Sequence, residues 1–124
     1  MAKHNELGAW GEAVAADYLN REGYFVKDRD WHFGSHDIDL VAVSSDNETL
    51  VFVEVKTREH EDLSSAEDAV TVRKMRSIAL CANEYIEQYN VEMDYRFDVI
   101  SVIGNGKKIT DIRHIADAFN PALL

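Results

Sequence analysis

Residues 36–58 run His36-Asp37-Ile38-Asp39-Leu40-Val41-Ala42-Val43, then the polar break Ser44-Ser45-Asp46-Asn47-Glu48, and from Leu50 onward Leu50-Val51-Phe52-Val53-Glu54-Val55-Lys56-Thr57-Arg58. Both flanks are rich in β-branched and apolar residues. The break offers Asp46 and Asn47, which tolerate positive φ, so the pattern is that of a β-hairpin. A two-residue loop at Asp46-Asn47 and a four-residue loop from Ser45 to Glu48 give the same pairing, in which facing residues have numbers that sum to 93. Asp39 then faces Glu54, and Asp37 faces Lys56. Side chains alternate along a strand, so Glu54, Lys56 and Arg58 share one face. Directly opposed residues have Cβ atoms about 4.5–5.5 Å apart. Two carboxylates and a lysine therefore converge on a patch whose neighbours are too apolar for an ordinary solvated face. Like charges at that distance repel unless a cation lies between them. A hard divalent ion with oxygen ligands, Mg²⁺ or Mn²⁺, answers that need. The alternative is a set of ordinary cross-strand ion pairs, and a slip of one residue would turn Asp39 to the other side.

The composition sets the bounds. A chain of 124 residues suits one domain, 1–124, with a real core, and 46% apolar and 29% charged residues are ordinary for a globular protein. No apolar run reaches the length of a membrane span, and the start Met1-Ala2-Lys3-His4-Asn5-Glu6 does not read as a signal peptide. A lone cysteine, Cys81, cannot form an internal disulfide, which fits a cytoplasmic protein. His32 and His36 have metal-like spacing but no cysteine or third histidine beside them, so they are not read as a zinc site. The net charge of −10 speaks against a nucleic-acid partner, whose binders usually carry a basic patch. Its distribution softens the objection: residues 1–70 hold 16 acidic and 6 basic side chains, whereas residues 71–124 hold 7 of each. The acidity is thus concentrated in the half that carries the carboxylate patch and the run Glu59-His60-Glu61-Asp62.

Around the hairpin the remaining elements fall into place. Residues 5–22 form an amphipathic helix with Leu7, Trp10, Val14 and Tyr18 at helical spacing; Gly8, Gly11 and Ala15 widen its apolar face, and Gly23 stops it. Glu12 lies at the edge of that face, placed to look into a site on the sheet or to remain a rim glutamate. A strand starts at Tyr24-Phe25-Val26-Lys27 and continues toward Trp31, with Phe33-Gly34-Ser35 turning into the hairpin; Trp31 and Phe33 are read as core or edge packing. Glu59–Asp68 is a charged connection. A second helix spans Thr71–Tyr89, with the stripe Met75, Ile78, Ala79, Ala82, Tyr85, Ile86 and Tyr89, and Cys81 one step off it. Arg73, Lys74 and Arg76 crowd its first half, where the helix dipole does not favour cations; phosphate contact and plain solvation are the two readings. Strands Tyr95–Ile103 and Lys108–Ile115 follow around a Gly104-Asn105-Gly106-Lys107 turn. Arg96 and Asp98 share a face as an ion pair bordering the site, and Ala116–Leu124 is a short turn or helical cap. Three sequential strands favour an antiparallel meander, and the second helix serves as a crossover to a parallel neighbour.

At these residues the chain resembles the PD-(D/E)XK nuclease superfamily, whose signature is an acidic residue near the start of one strand and Glu-x-Lys on the next. More closely, it is similar to the YraN family of small uncharacterised bacterial proteins, grouped with the endonuclease-like fold of archaeal Holliday junction resolvases. The likeness covers nearly the whole chain: Gly8-Ala9-Trp10-Gly11-Glu12-Ala13-Val14-Ala15, Asp37-Ile38-Asp39-Leu40, Val51-Phe52-Val53-Glu54-Val55-Lys56-Thr57-Arg58 and Arg96-Phe97-Asp98-Val99-Ile100. It implies an α/β, or more strictly α+β, restriction-endonuclease-like αβββαβ core with a mixed sheet flanked by helices. It further implies metal-dependent hydrolysis of DNA phosphodiesters, branched or structured DNA among the substrates. Asp39, Glu54 and the main-chain carbonyl of Val55 would bind Mg²⁺ or Mn²⁺, with Lys56 orienting the water or meeting the phosphate. Glu12 would hold a second ion or its water shell, and Asp37 either pairs with Lys56 or adds a ligand. Arg58, Arg73, Lys74 and Arg76 are the candidate contacts to the nucleic-acid backbone. His36-Asp37 stands where Gly-Glu is usual in the family, which shortens the carboxylate at 37 by one methylene. The expected partners are nucleic acid and no membrane, with a homodimer left open. Two rival readings stand beside the nuclease: a catalytically silent nuclease-fold module that binds nucleic acid or a protein, and a hydrolase of small phosphate esters, which the absence of a Gly-rich phosphate loop disfavours.

Overall fold

The computed structural model of the protein describes residues 2–60 and 70–124, with side chains from residue 6 onward. Chain order is α1 (Ala2–Arg21), β1 (Phe25–Phe33), β2 (His36–Val43), β3 (Thr49–Arg58), α2 (Val72–Gln88), β4 (Asp94–Gly104), β5 (Ile109–Phe119) and a closing 3₁₀ turn, Pro121–Leu123. The five strands form one sheet in the order β1-β2-β3-β4-β5. All neighbours are antiparallel except β3 and β4, which run parallel across the α2 crossover. This is the mixed α+β sheet of a restriction-endonuclease-like core. The charged connection expected over Glu59–Asp68 lies outside the described residues from Glu61 onward. Among the described residues, no helix is long and apolar enough to cross a membrane.

The β2–β3 hairpin closes as its turn chemistry dictates. Asn47 takes φ 64°, the Asn47 N–H donates to the Ser44 carbonyl, and the Ser44 N–H donates to the Thr49 carbonyl. Asp46 Oδ1 accepts from the Ser44 hydroxyl and the Glu48 N–H, so an Asx-type loop locks the register. Leu40 pairs with Val53, Val41 with Phe52, Ala42 with Val51 and Val43 with Leu50. Every pair sums to 93.

Alternation along the strands builds two cores. On one face Val43, Leu50, Phe52, Phe97 and Val99 pack under Ile78, Ala82 and Tyr85 of α2. On the other Leu40, Ala42, Val51, Val53, Ile100 and Val102 pack under Val14, Ala15 and Leu19 of α1. Cys81, one step off the stripe, packs in the α2 core as a small hydrophobe, whereas Tyr89 is half exposed. Trp31 packs edge-on to Tyr85 at 5.0 Å between centroids, but Phe33 remains exposed. β5 runs on to Phe119, so the first four residues of the expected terminal cap are strand, and the expected short helical turn closes the chain at Pro121–Leu123.

The seating of α1 differs from its apolar pattern in an instructive way. Its centre line is Gly11, Ala15 and Leu19, not the larger Leu7, Trp10 and Tyr18, which sit at its margins. A side chain at Gly11 would overlap the Thr57 side chain of β3. The missing Cβ lets the helix backbone lie against the strand that carries Glu54 and Lys56. Gly23, at φ 91°, then ends the helix, with the Tyr24 N–H reaching back to the Leu19 carbonyl. Gly11→Ala should therefore cost about 1–3 kcal/mol, the range for overpacking a tight contact. Urea denaturation checks it, and the loss should be smaller when the same change is made in a Thr57→Ala background.

Candidate functional site

β2 and β3 stop pairing after Leu40 and Val53. A continued ladder would join Val55 to Ile38. Instead the Val55 N–H donates to Asp39 Oδ2 at 2.8 Å. Ile38 and Val41 both enter the α2-side core although they are three residues apart, while Leu40 enters the other, so the alternation of β2 breaks at Asp39. The strands fork there. In an extended strand a residue's N–H and C=O point to the same edge, so the Val55 carbonyl also faces the fork. On its other edge β3 remains tied to β4 through ten consecutive pairs, Thr49↔Asp94 to Arg58↔Ile103, and cannot follow β2.

Asp39 and Glu54 meet in this fork. The Asp39 and Glu54 carboxylates lie close enough to share a proton. Glu54 is only 4% exposed, and its Oε1 has no hydrogen-bond partner, alone in that respect among the described buried side chains. Its other oxygen, Oε2, lies 3.9 Å from Lys56 Nζ. Burial pushes the Glu54 carboxyl up to about 8, with the Asp39 charge adding to the rise and Lys74 and Lys56 opposing it. Burial also raises Asp39, against the pull of its contacts with Glu54 and the Val55 N–H. Glu12, half-buried on α1, is raised to about 7 by burial and by the charges of Asp39, Asp30 and Asp37. The acids here disfavour one another's ionised forms, and one Glu54 oxygen has no hydrogen-bond partner.

Several residues lie elsewhere than expected. Asp37 does not meet Lys56. Because the strands part at Asp39, Asp37 pairs with His32 of β1, and its Oδ1 lies 3.4 Å from Lys74 Nζ. Lys74 is accordingly turned inward, while Arg73 and Arg76 are exposed on α2; Arg58 is half-buried at the end of β3. Arg96 and Asp98 do pair, at 3.0 and 3.2 Å, but they do not border the fork. Asp98 points to the α1 side, where His114 Nε2 and the Asp117 N–H also reach it and Arg96 meets the Tyr24 hydroxyl. His32, whose spacing to His36 alone does not make a metal site, has instead Asp30 and Asp37 beside it: one ligand atom of each of the three lies within 4.8 Å of the others. The signal was the alternating Asp-x-His on β1, readable only with the β1–β2 register in hand.

The model of the uncharacterised protein family UPF0102 matches residues 11–102. A UPF0102 protein of Bacteroides fragilis is 42% identical over 123 residues, covering 99% of each chain. One of Flavobacterium psychrophilum is 36% identical over 119 residues, covering 96% of this chain and 98% of that one. Among solved structures, Pyrococcus furiosus SfsA in complex with Ca²⁺ gives a TM-score of 0.32 at 12% identity, covering 91% of this chain; this chain spans 63% of that one.

Between the ordinary carboxylate value and about 8, Glu54 is protonated in the folded chain and ionised in the unfolded one. The folded state holds the extra proton, so this group makes stability fall as pH rises across that window and level off above it. Glu12, raised to about 7, adds to the same slope. In urea titrations with chelator, stability should therefore decline from about pH 5 to about pH 8. Glu54→Gln should flatten the decline and end more stable above it, because a buried amide beside Asp39 never has to ionise. An unchanged slope would contradict the assignment.

Proposed function

The chain belongs to the uncharacterised protein family UPF0102, and from its carboxylate fork we propose that it is a metal-dependent nuclease hydrolysing phosphodiester bonds of DNA. The observation that carries this reading is Glu54 Oε1, an oxygen without a partner beside a second buried carboxylate. A fold tolerates such an atom poorly, because a buried unpaired polar group costs about 1–3 kcal/mol and a charged one more. Hard oxygen donors of this kind suit Mg²⁺ or Mn²⁺. Asp39, Glu54 and the Val55 carbonyl would hold the ion. The bound ion supplies a Lewis acid that acidifies its water and offsets charge on the scissile phosphate.

The chain's own residues have separable tasks. The Val55 N–H fixes the Asp39 carboxylate, leaving Oδ1 for the site. Lys56, half-exposed at the rim and held by Glu54, is placed to orient the attacking water or meet a phosphate oxygen as a cation. Glu12, with a carboxyl near neutrality, suits proton transfer at its own oxygens at physiological pH. The exposed Arg73 and Arg76 offer sequence-independent contacts to backbone phosphates.

Incubation with duplex, single-stranded and branched DNA tests the reading, with Mg²⁺ or Mn²⁺ and with chelator. Cleavage should need the ion and fall by roughly 10²-fold or more in Asp39→Asn, Glu54→Gln and Lys56→Ala, as for loss of an electrostatic catalytic group. Calorimetry should show Mn²⁺ binding lost in Glu54→Gln. Binding of DNA without cleavage under any ion would favour the catalytically silent module, the reading that the net charge of −10 also favours.

A further inference from the structure

Lys74 occupies the first turn of α2, and its place there is well defined. Thr71 caps the helix by accepting from the Lys74 N–H at 3.1 Å. One turn on, Ser77 Oγ and His36 Nδ1 are hydrogen-bonded at 2.7 Å, which ties this helix end to the start of β2. The Lys74 ammonium lies 3.4 Å from Asp37 Oδ1, and its side chain is two-thirds buried, at 33% exposure. Local forces do not favour this. A cation in the first turn meets the positive end of the helix dipole, and α2 has no acidic residue there to offset it. The basic neighbours Arg73 and Arg76 stay exposed. Against the cost of burial, Lys74 is held by Asp37 at 3.4 Å, and the acids of the fork act on it in the same direction.

Resting on the ion-binding reading above, we propose that Lys74 is the resident counter-cation of the fork, displaced toward the substrate phosphate when a divalent ion takes its place. Held on Asp37, the ammonium is not offered to a polyanion. Asp39 and Glu54 would hold the ion, and its positive charge would weaken the hold of these acids on the Lys74 ammonium. The flexible stem of lysine then lets the head swing outward without moving the helix, which the planar fork of arginine would do less readily. Ion binding thereby raises affinity for a nucleic-acid backbone through a residue that does not touch the ion. By linkage, a bound backbone strengthens ion binding by the same factor. An acidic protein gains from the arrangement, because its cation is exposed only when the carboxylates have been neutralised.

Lys74→Met keeps the apolar stem and removes the charge; Lys74→Arg keeps the charge. Mn²⁺ affinity is measured by calorimetry without nucleic acid. DNA affinity is then measured by fluorescence anisotropy on labelled duplex and branched DNA, with and without Mn²⁺, in a Lys56→Ala background. Lys74→Met should bind Mn²⁺ roughly tenfold more tightly, since it removes a positive charge that competes for the same acids. Its Mn²⁺-dependent gain in DNA affinity should fall to less than half that of the parent. Lys74→Arg should leave Mn²⁺ affinity within about twofold. Should Lys74→Met not fold by circular dichroism, Lys74→Gln replaces it in the same titrations. Unchanged or weaker Mn²⁺ binding in the uncharged variant overturns the proposal, as does equal tightening in Lys74→Arg, which would point to packing. Tighter Mn²⁺ binding with an undiminished DNA gain overturns the displacement step. Absence of Mn²⁺ binding in the parent protein strikes the ion-binding reading, and this proposal with it.

Discussion

One hydrogen bond, from the Val55 N–H to Asp39 Oδ2, stands where a β2–β3 ladder would otherwise continue. A strand edge left open inside a protein must satisfy its donors elsewhere, and here a carboxylate does so. That substitution lets β2 leave β3 without stranding a backbone group. The separation is enforced from both sides. β3 is held along its whole length by β4, and α1 is pressed onto it where Gly11 meets Thr57. β2 is drawn the other way by β1, which pairs with it from Phe25↔Val43 to Phe33↔His36. The opening is a consequence of topology, and the residues at its mouth are those that a parallel crossover and a meander leave between them.

The hairpin was legible because its turn is local. Asp46 and Asn47 fix the register, and the register fixes which residues stand opposite each other; Asp39 and Glu54 follow from four residues of loop. The limits of that reading are equally local. Extending the pairing two residues further placed Asp37 against Lys56, but strand pairing ends where a side chain can compete for a backbone donor, and a periodic pattern does not register that competition. Lys74 was legible as a cation near a helix start and not as a neighbour of Asp37, because its direction depends on where the crossover after β3 lands. The centre of α1 was misjudged for a related reason: hydrophobic periodicity weights large residues, whereas close approach to a sheet selects small ones. Asp30 and His32 stayed hidden until β1 was set against β2, since their meeting with Asp37 is a cross-strand event.

Two buried carboxylates on opposite faces of the same sheet show which acid is structural. Asp98 is fully buried on the α1 side, yet Arg96 reaches both its oxygens, His114 reaches Oδ2 and the Asp117 N–H reaches Oδ1. Burial alone would raise its pKa, but these contacts outweigh burial and lower it. His114 in turn meets the Tyr18 hydroxyl at 3.0 Å, so the network joins β4, β5 and the far end of α1. Such a group is completed by its own chain and has nothing left to offer a ligand. Its stabilisation is present at neutral pH and is lost as pH falls through its lowered value.

Glu54 is buried to nearly the same degree and treated in the opposite way. It has a second carboxylate beside it, a lysine at the edge of contact and an oxygen with no partner. The same sheet therefore contains the means to satisfy a buried acid and does not apply them here. Geometry does not force the difference, since arginine, histidine and backbone donors converge on Asp98 from β4 and β5, and comparable elements surround the fork. Selection for stability alone would remove Glu54 or pair it, because replacing a buried ionisable group by an apolar residue of similar volume is often neutral or stabilising. A carboxylate kept unsatisfied, raised in pKa and aligned with another is ground-state strain of the kind that a bound cation relieves. The contrast sets the two buried acids apart: Asp98 is completed by its own chain, and Glu54 Oε1 is left without a hydrogen-bond partner.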